Sequence, residues 1–349
     1  LIEFERQIKT GRFLDPRAGF AEKSVESEIR VDPLTRETGR ICHFAFDIAA
    51  PTDLTAMVEA SAQSCPFCPD RVHEITPRFP SETLEEGRLV RGQAVLFPNL
   101  FPYDDVSAIA VISEAHFHPM ADVPTSVIED GLGIARDFLG RLDSMTRDKA
   151  QRYGIVTWNY MPPSGGSQVH PHMQVIHTTH PGNGLRRQLD AAGRWRRDRG
   201  RSYVEMLVET ERTQGERWIG EDGDVVWLVP FVPTGILGDC IAVFPEVASV
   251  SALSDEQIAD FASGLRTILK AYAERGLWSF NLVFLPDHAE AGNDRHWLTA
   301  RLVPRLYINP AFHVSDVAYM QLIMEERFAL TYPERNAAIL RSAWQQRIG

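Results

Sequence analysis

One succession of sequence patterns occurs twice, and it restricts the fold more than any other feature. Residues 93–97 alternate like a strand and meet the turn Pro98-Asn99-Leu100-Phe101-Pro102, and 107–112 read as a second strand. Within 124–150, Val127, Ile128, Leu132, Ile134, Ala135, Phe138, Leu139 and Leu142 keep helical spacing. Strands are then expected at 154–160 and 169–177, separated by a Pro/Gly/Ser loop at 161–167. About 130 residues later the order recurs. Strands at 225–229 and 240–244, an amphipathic helix over 254–276, and strands at 278–285 and 296–303 match it in turn. Two copies argue for duplication rather than a solenoid, and connection through turns argues for antiparallel pairing. The expectation is an α+β protein of two tandem halves, mainly antiparallel sheets with helices on one face. Residues 1–30 read as a polar arm, 31–185 as the first half and 186–349 as the second, with 181–224 a solvated connector containing one helix.

Composition narrows the class. Of 349 residues, 44% are hydrophobic and 24% charged, enough for a sizeable core. Lys and Arg number 36 against 47 Asp and Glu, a formal charge of −11, which argues against a nucleic-acid partner. No apolar run approaches the ~18 residues of a membrane span, and the first residues lack the apolar core of a signal peptide. A soluble, cytoplasmic enzyme is expected.

The cysteines sharpen this. Cys42 and Cys240 sit alone in apolar runs and read as buried free thiols. Cys65-Pro66-Phe67-Cys68 has the spacing of a metal or redox pair, and the Pro-rich polar stretch after it favours metal over a thioredoxin-type motif. Two thiols are only half a site.

The segment richest in chemistry is 159–174, Asn-Tyr-Met-Pro-Pro-Ser-Gly-Gly-Ser-Gln-Val-His-Pro-His-Met-Gln. Strand alternation puts His170, His172 and Gln174 on one face. The Gly/Ser loop before them offers backbone N–H groups without side-chain obstruction, suited to an anion.

His-Pro-His-x-Gln after a Gly/Ser loop resembles the signature of the galactose-1-phosphate uridylyltransferase branch of the histidine-triad superfamily. Asp32-Pro33-Leu34-Thr35, Cys65-Pro-Phe-Cys68-Pro69 and Asn99 after a strand are similar to further family segments, in the same order, and cover roughly 30–180 of the chain.

The resemblance implies that His172 is a nucleophile attacking the α-phosphorus of a nucleotide donor, to give a nucleotidyl-histidine that a phosphate-bearing acceptor then consumes. Its far ring nitrogen is expected to donate to a backbone carbonyl, that of His170 being the candidate. Gln174, Ser167 and the amides of Gly165 and Gly166 would stabilise charge on the phosphoryl oxygens. Asn99 and Asn159 match positions holding the nucleoside and phosphate. Gln174 cannot titrate, which favours transfer over hydrolysis. His116 and His170 are implied to join Cys65 and Cys68 around one structural zinc, with His118 as a competitor to His116. The remaining histidines, His43, His73, His177, His180, His288 and His313, read as exposed or locally bonded. A homodimer is implied because family sites are often completed by a neighbouring subunit.

The second half departs from the family. Where the family often carries a further metal on a His-x-His strand, this chain has Thr299 and Arg301, so no second metal is expected. Arg301 or Arg305 is either an acceptor-phosphate ligand or the partner of a local carboxylate. The usual sugar-contacting signature is not recognisable in 324–333, so the acceptor stays open. Two alternatives to transfer remain: a nucleotide hydrolase of the same superfamily, and an inactive zinc-stabilised nucleotide-binding protein.

Overall fold

The computed structural model describes residues 1–42, 53–145, 151–288 and 296–348. The chain opens with a hairpin, β1 (Glu5–Asp15) and β2 (Ala21–Val31), which pairs onto β3 (Thr38–Cys42). Two short helices follow, α1 (Thr55–Ala62) and α2 (Val72–Ile75). The first half then runs β4 (Leu89–Arg91), β5 (Ala94–Pro98), β6 (Val106–Val111), α3 (Thr125–Met145), β7 (Tyr153–Tyr160) and β8 (His172–Thr178). Helices α4 (Asn183–Arg199) and α5 (Tyr203–Gln214) lead to β9 (Trp218–Asp222), β10 (Val225–Leu228), β11 (Cys240–Val243), α6 (Asp255–Glu274), β12 (Ser279–Leu285) and β13 (Thr299–Arg305). The chain closes with β14 (Tyr307–Asn309), β15 (Val314–Ser315), α7 (Tyr319–Leu322), β16 (Arg327–Ala329) and α8 (Pro333–Ile348).

Ten strands form one sheet in the order β4-β5-β6-β8-β7-β12-β13-β11-β10-β9, the halves meeting at β7 and β12. Its pairs are antiparallel throughout. One row of partners reads Ile109–Gln174–Thr157–Val283–Arg301–Ile241, symmetric about the Thr157–Val283 pair. The duplication is therefore a pseudo-twofold repeat. Arg301 occupies the counterpart of Gln174, and Thr299, opposite Val243, the counterpart of His172, opposite Val111.

Helices α3 and α6 bury their apolar stripes on one face of this sheet. Ser254 and Gln257 form a capping box that starts α6, with Asp255 and Glu256 suiting the positive helix end. Gly131 lets α3 approach closely: a Cβ there would lie 2.4 Å from Ile112 Cγ2.

The region expected as a one-helix connector is two helices with a built interior. Tyr203, Val204 and Leu207 of α5 cover the opposite face of the second half, against Val226, Leu228, Ile241 and Val243. Sequence polarity misled there because Glu211 and Arg217, each 1% exposed, pair with one another at 2.7 Å. The 1–30 arm is an ordered hairpin, mostly exposed, and part of a four-stranded sheet in the order β1-β2-β3-β16. Cys42 is half-buried rather than buried, Cys240 is buried, and both are free thiols. His43 and residues 146–150 of the expected helix lie outside the described residues. Among the described residues no helix is long and apolar enough to cross a membrane.

Candidate active site

On the face of the first half away from α3, alternation presents Ile109 and Val111 of β6, His172 and Gln174 of β8, and Thr157 and Asn159 of β7. Among the described residues no helix pair covers this face. Instead Val95, Phe97, Ile109 and Val111 form a small apolar cluster with Val72 and Phe67, the aromatic residue between the two cysteines.

His172 begins β8, and its side chain is buried except for a small part. Its Nδ1 lies 2.8 Å from the His170 carbonyl oxygen, so Nδ1–H donates there and Nε2 keeps its lone pair. Among the described residues Nε2 has no hydrogen-bond partner, and it is not sealed from solvent. Burial lowers the imidazole pKa, and the carbonyl bond only partly opposes this, so the ring is neutral at pH 7. Gln174 is half-buried on the same face, and the Tyr103 hydroxyl donates to its Oε1 at 2.5 Å. An amide fixed through its oxygen presents its two N–H donors outward.

The loop between β7 and β8 is shaped by its backbone. Met161 takes φ 69°, rare for a side-chain-bearing residue, and Gly165 takes φ 85°. A Cβ on Gly166 would stand 2.8 Å from the Asn159 carbonyl oxygen and 3.1 Å from that of Met161. The loop amides are not all available as expected, because Gly165 N–H donates to Pro162 O at 2.9 Å. Those of Gly166 and Ser167 have no partner among the described residues, and Ser167 is exposed.

Asn159 accepts a hydrogen bond at Oδ1 from Asn281 Nδ2, 2.7 Å away on β12 of the other half. Asn99 lies past the end of β5, two strands over and four residues along from His172, roughly 13 Å in the strand direction. Its Oδ1 accepts from the Phe101 N–H at 3.1 Å, which shapes its own turn.

Beside His172, one ligand atom from each of Cys65, Cys68, His116 and His170 lies within 4.8 Å of the others, and the cluster can hold one metal ion. Cys65 Sγ is 3.6 Å from His170 Nδ1, and Cys68 Sγ is 3.5 Å from His116 Nδ1. A tetrahedral ion bound at ~2.3 Å to sulfur and ~2.0 Å to nitrogen would space its ligands similarly. The outer ring nitrogens are held in place, His116 Nε2 by Ser61 Oγ at 2.9 Å and His170 Nε2 by the Ser113 carbonyl at 2.7 Å. Such partners orient metal-ligating histidines. Burial and then the neighbouring Cys65 push the Cys68 thiol up to about 11, a tendency that a cation between the two sulfurs would reverse. His118 lies outside the cluster, its Nε2 on Ser113 Oγ at 2.8 Å.

Arg301 and Arg305 are both paired locally. Arg301 bonds Asp239 at 3.0 Å, and Arg305 forks onto Asp316 at 2.8 and 2.6 Å. Sequence reasoning missed Tyr103, Phe67, Ser61 and Asn281. Only Asn281 left a signal, an amide between the apolar Phe280 and Leu282.

No protein-family model matches the chain. An uncharacterized protein of Archaeoglobus fulgidus is 28% identical over 99% of this chain and 100% of its own. Among solved structures, a uridylyltransferase superposes with a TM-score of 0.67 at 19% identity, covering 92% of this chain and 99% of that one. The chain has the uridylyltransferase fold. An ADP-glucose phosphorylase from Arabidopsis thaliana, solved with ADP-glucose bound, shares that fold, with a TM-score of 0.67, 17% identity and coverage of 90% of this chain and 98% of its own. In this chain the uridylyltransferase fold carries a neutral imidazole, two outward amides and a Cys2His2 cluster at one end of its sheet.

Proposed function

We propose that the chain is a nucleotidyltransferase that moves a nucleoside monophosphate from a nucleotide sugar or similar donor to a phosphate-bearing acceptor through nucleotidyl-His172. The observation that carries this reading is the 2.8 Å bond from His172 Nδ1 to the His170 carbonyl, which leaves Nε2 as the nucleophilic atom. The Nε2 lone pair attacks the α-phosphorus and the P–O bond to the donor's phosphate leaving group breaks. The ring becomes cationic, and the His170 carbonyl stabilises that charge through Nδ1–H. An acceptor phosphate oxygen then attacks, the P–N bond breaks and the lone pair returns to Nε2. Gln174, Asn159, Ser167 and the Gly166 amide supply donors to the phosphoryl oxygens, and Asn99 marks the nucleoside end. The reach from Asn99 to His172 suits a nucleoside monophosphate.

Cys65, Cys68, His116 and His170 would hold a zinc ion, a closed structural site that supplies no chemistry beyond fixing the start of β8. Two thiolates and two imidazoles match zinc's borderline preference. Exposed apolar residues, among them Phe101 (79%), Phe312 (79%), Leu322 (74%) and Ile323 (73%), support a homodimer. Free thiols suit a reducing, cytoplasmic setting. Residues 31–185 form the working half and 186–349 the half that lacks the histidine pair.

The test is isotope exchange. Each candidate nucleotide sugar is incubated with its own labelled sugar phosphate and no other substrate. A covalent intermediate requires label to enter the nucleotide sugar, whereas a sequential displacement between donor and acceptor leaves it unlabelled.

A further inference from the structure

The half that lacks the histidine pair reaches into the site through a chain of hydrogen bonds with a single possible polarity. Asp316, 4% exposed, accepts the fork of Arg305, with Nε to Oδ2 at 2.8 Å and Nη2 to Oδ1 at 2.6 Å. Arg305 Nη1 donates to Asn281 Oδ1 at 2.6 Å. A guanidinium has no acceptor, so Asn281 must turn its oxygen to Arg305. Its NH2 group is thereby aimed at β7, where it donates to Asn159 Oδ1 at 2.7 Å and to the Ser164 carbonyl at 2.9 Å. Both protons are used. Asn159 must in turn point its oxygen at Asn281, and its own NH2 is left without a partner among the described residues yet not sealed from solvent.

An unconstrained asparagine could turn either way, and the wrong way would offer a carbonyl oxygen to an anion. We propose that Asp316, Arg305 and Asn281 are positioning residues that set the polarity of the Asn159 amide, so that its N–H groups face the phosphoryl oxygens at His172. The same donor bond to Ser164 ties the loop between β7 and β8 to the second half. This rests on the nucleotidyl-His172 reading. It also gives that half a task that needs no histidine, because Asn281 enters through the β7–β12 pair, directly opposite Asn159.

The test is a double-mutant cycle on the rate of His172 nucleotidylation. Asn281→Asp keeps the size of the side chain and the acceptor for Arg305 but removes both donors. The expected result is a loss of roughly 10²-fold in that rate, with donor KM and metal content little changed. In an Asn159→Ala background the same substitution should cost far less, about fivefold or under, the remainder reflecting the lost bond to the Ser164 carbonyl. A merely structural role would cost the same in both backgrounds, and that result overturns the proposal while leaving the function intact. If the wild-type protein forms no nucleotidyl-enzyme, the function reading fails, and side-chain amide NMR of the wild type decides the polarity separately. Slow solvent exchange of the Asn281 NH2 and fast exchange of the Asn159 NH2 support the relay, and the reverse order refutes it. This measurement also decides the matter if Asn281→Asp does not fold.

Discussion

The Phe67 ring lies 5.3 Å from the His172 ring and 6.2 Å, edge-on, from that of His170. Phe67 stands between the two cysteines, so the turn that would enclose a metal also walls the imidazole. Site architecture and metal cluster are one packed unit.

Metal removal is therefore expected to disable the site and not only to loosen the chain. The purified protein should hold one metal per chain by elemental analysis. Ser61→Ala, which frees His116 Nε2 from its 2.9 Å partner, should weaken metal binding roughly 10- to 100-fold in a chelator competition.

Gly166 and Gly165 should respond differently to a methyl group. Gly166→Ala drives a Cβ into two backbone carbonyls, which cannot give way, and should cost about 1–3 kcal/mol of stability and most of the nucleotide affinity. At Gly165 the added Cβ meets nothing within 4 Å, so only the φ of 85° is penalised, at about 1 kcal/mol. Thermal melting and calorimetric titration with nucleoside monophosphates check both.

Tyr103→Phe removes the hydroxyl that fixes Gln174 while keeping the ring. Turnover is expected to fall about fivefold, equivalent to about 1 kcal/mol, with an unchanged melting temperature. A loss in stability without a loss in rate would contradict the assigned orientation of Gln174.

Much of this was legible in the sequence. The duplicated pattern anticipated the pseudo-twofold sheet because each half buries one apolar stripe under one amphipathic helix. Alternation placed His172 and Gln174 on one face because β8 is a regular strand, whereas His170 lies just before that strand, in the cluster with Cys65, Cys68 and His116. What escaped is what depends on partners far along the chain. Asn281 meets Asn159 only through the β7–β12 pair. The charges of the 181–224 region look solvated until Glu211 finds Arg217.

That same buried ionic cluster ties the chain ends together. Glu334 bridges Arg30 at 2.8 Å and Arg217 at 2.9 Å, two guanidiniums that are 0% and 1% exposed. Glu334→Gln should destabilise the fold by about 2–4 kcal/mol without altering turnover of the folded protein. Burial raises the Glu334 pKa, but the hydrogen bonds and charge of Arg30, with Arg217 adding to them, outweigh it, and the net shift is downward. A lowered carboxyl pKa contributes stability that is complete above its unfolded value, near 4.3, and is lost as pH falls through the folded value. The stability gap between wild type and Glu334→Gln should therefore begin to narrow as pH falls below about 4 and close only below the lowered folded value.

The most direct measurement is to trap the covalent intermediate. Wild-type protein is incubated with nucleotide-labelled UDP-sugars, ADP-sugars and dinucleoside polyphosphates, denatured in base and tested for acid-labile label. A base-stable, acid-labile phosphoramidate is expected on the wild-type chain with at least one of these donors, and none on His172→Ala. Absence of label from every donor, or equal labelling of His172→Ala, would contradict it.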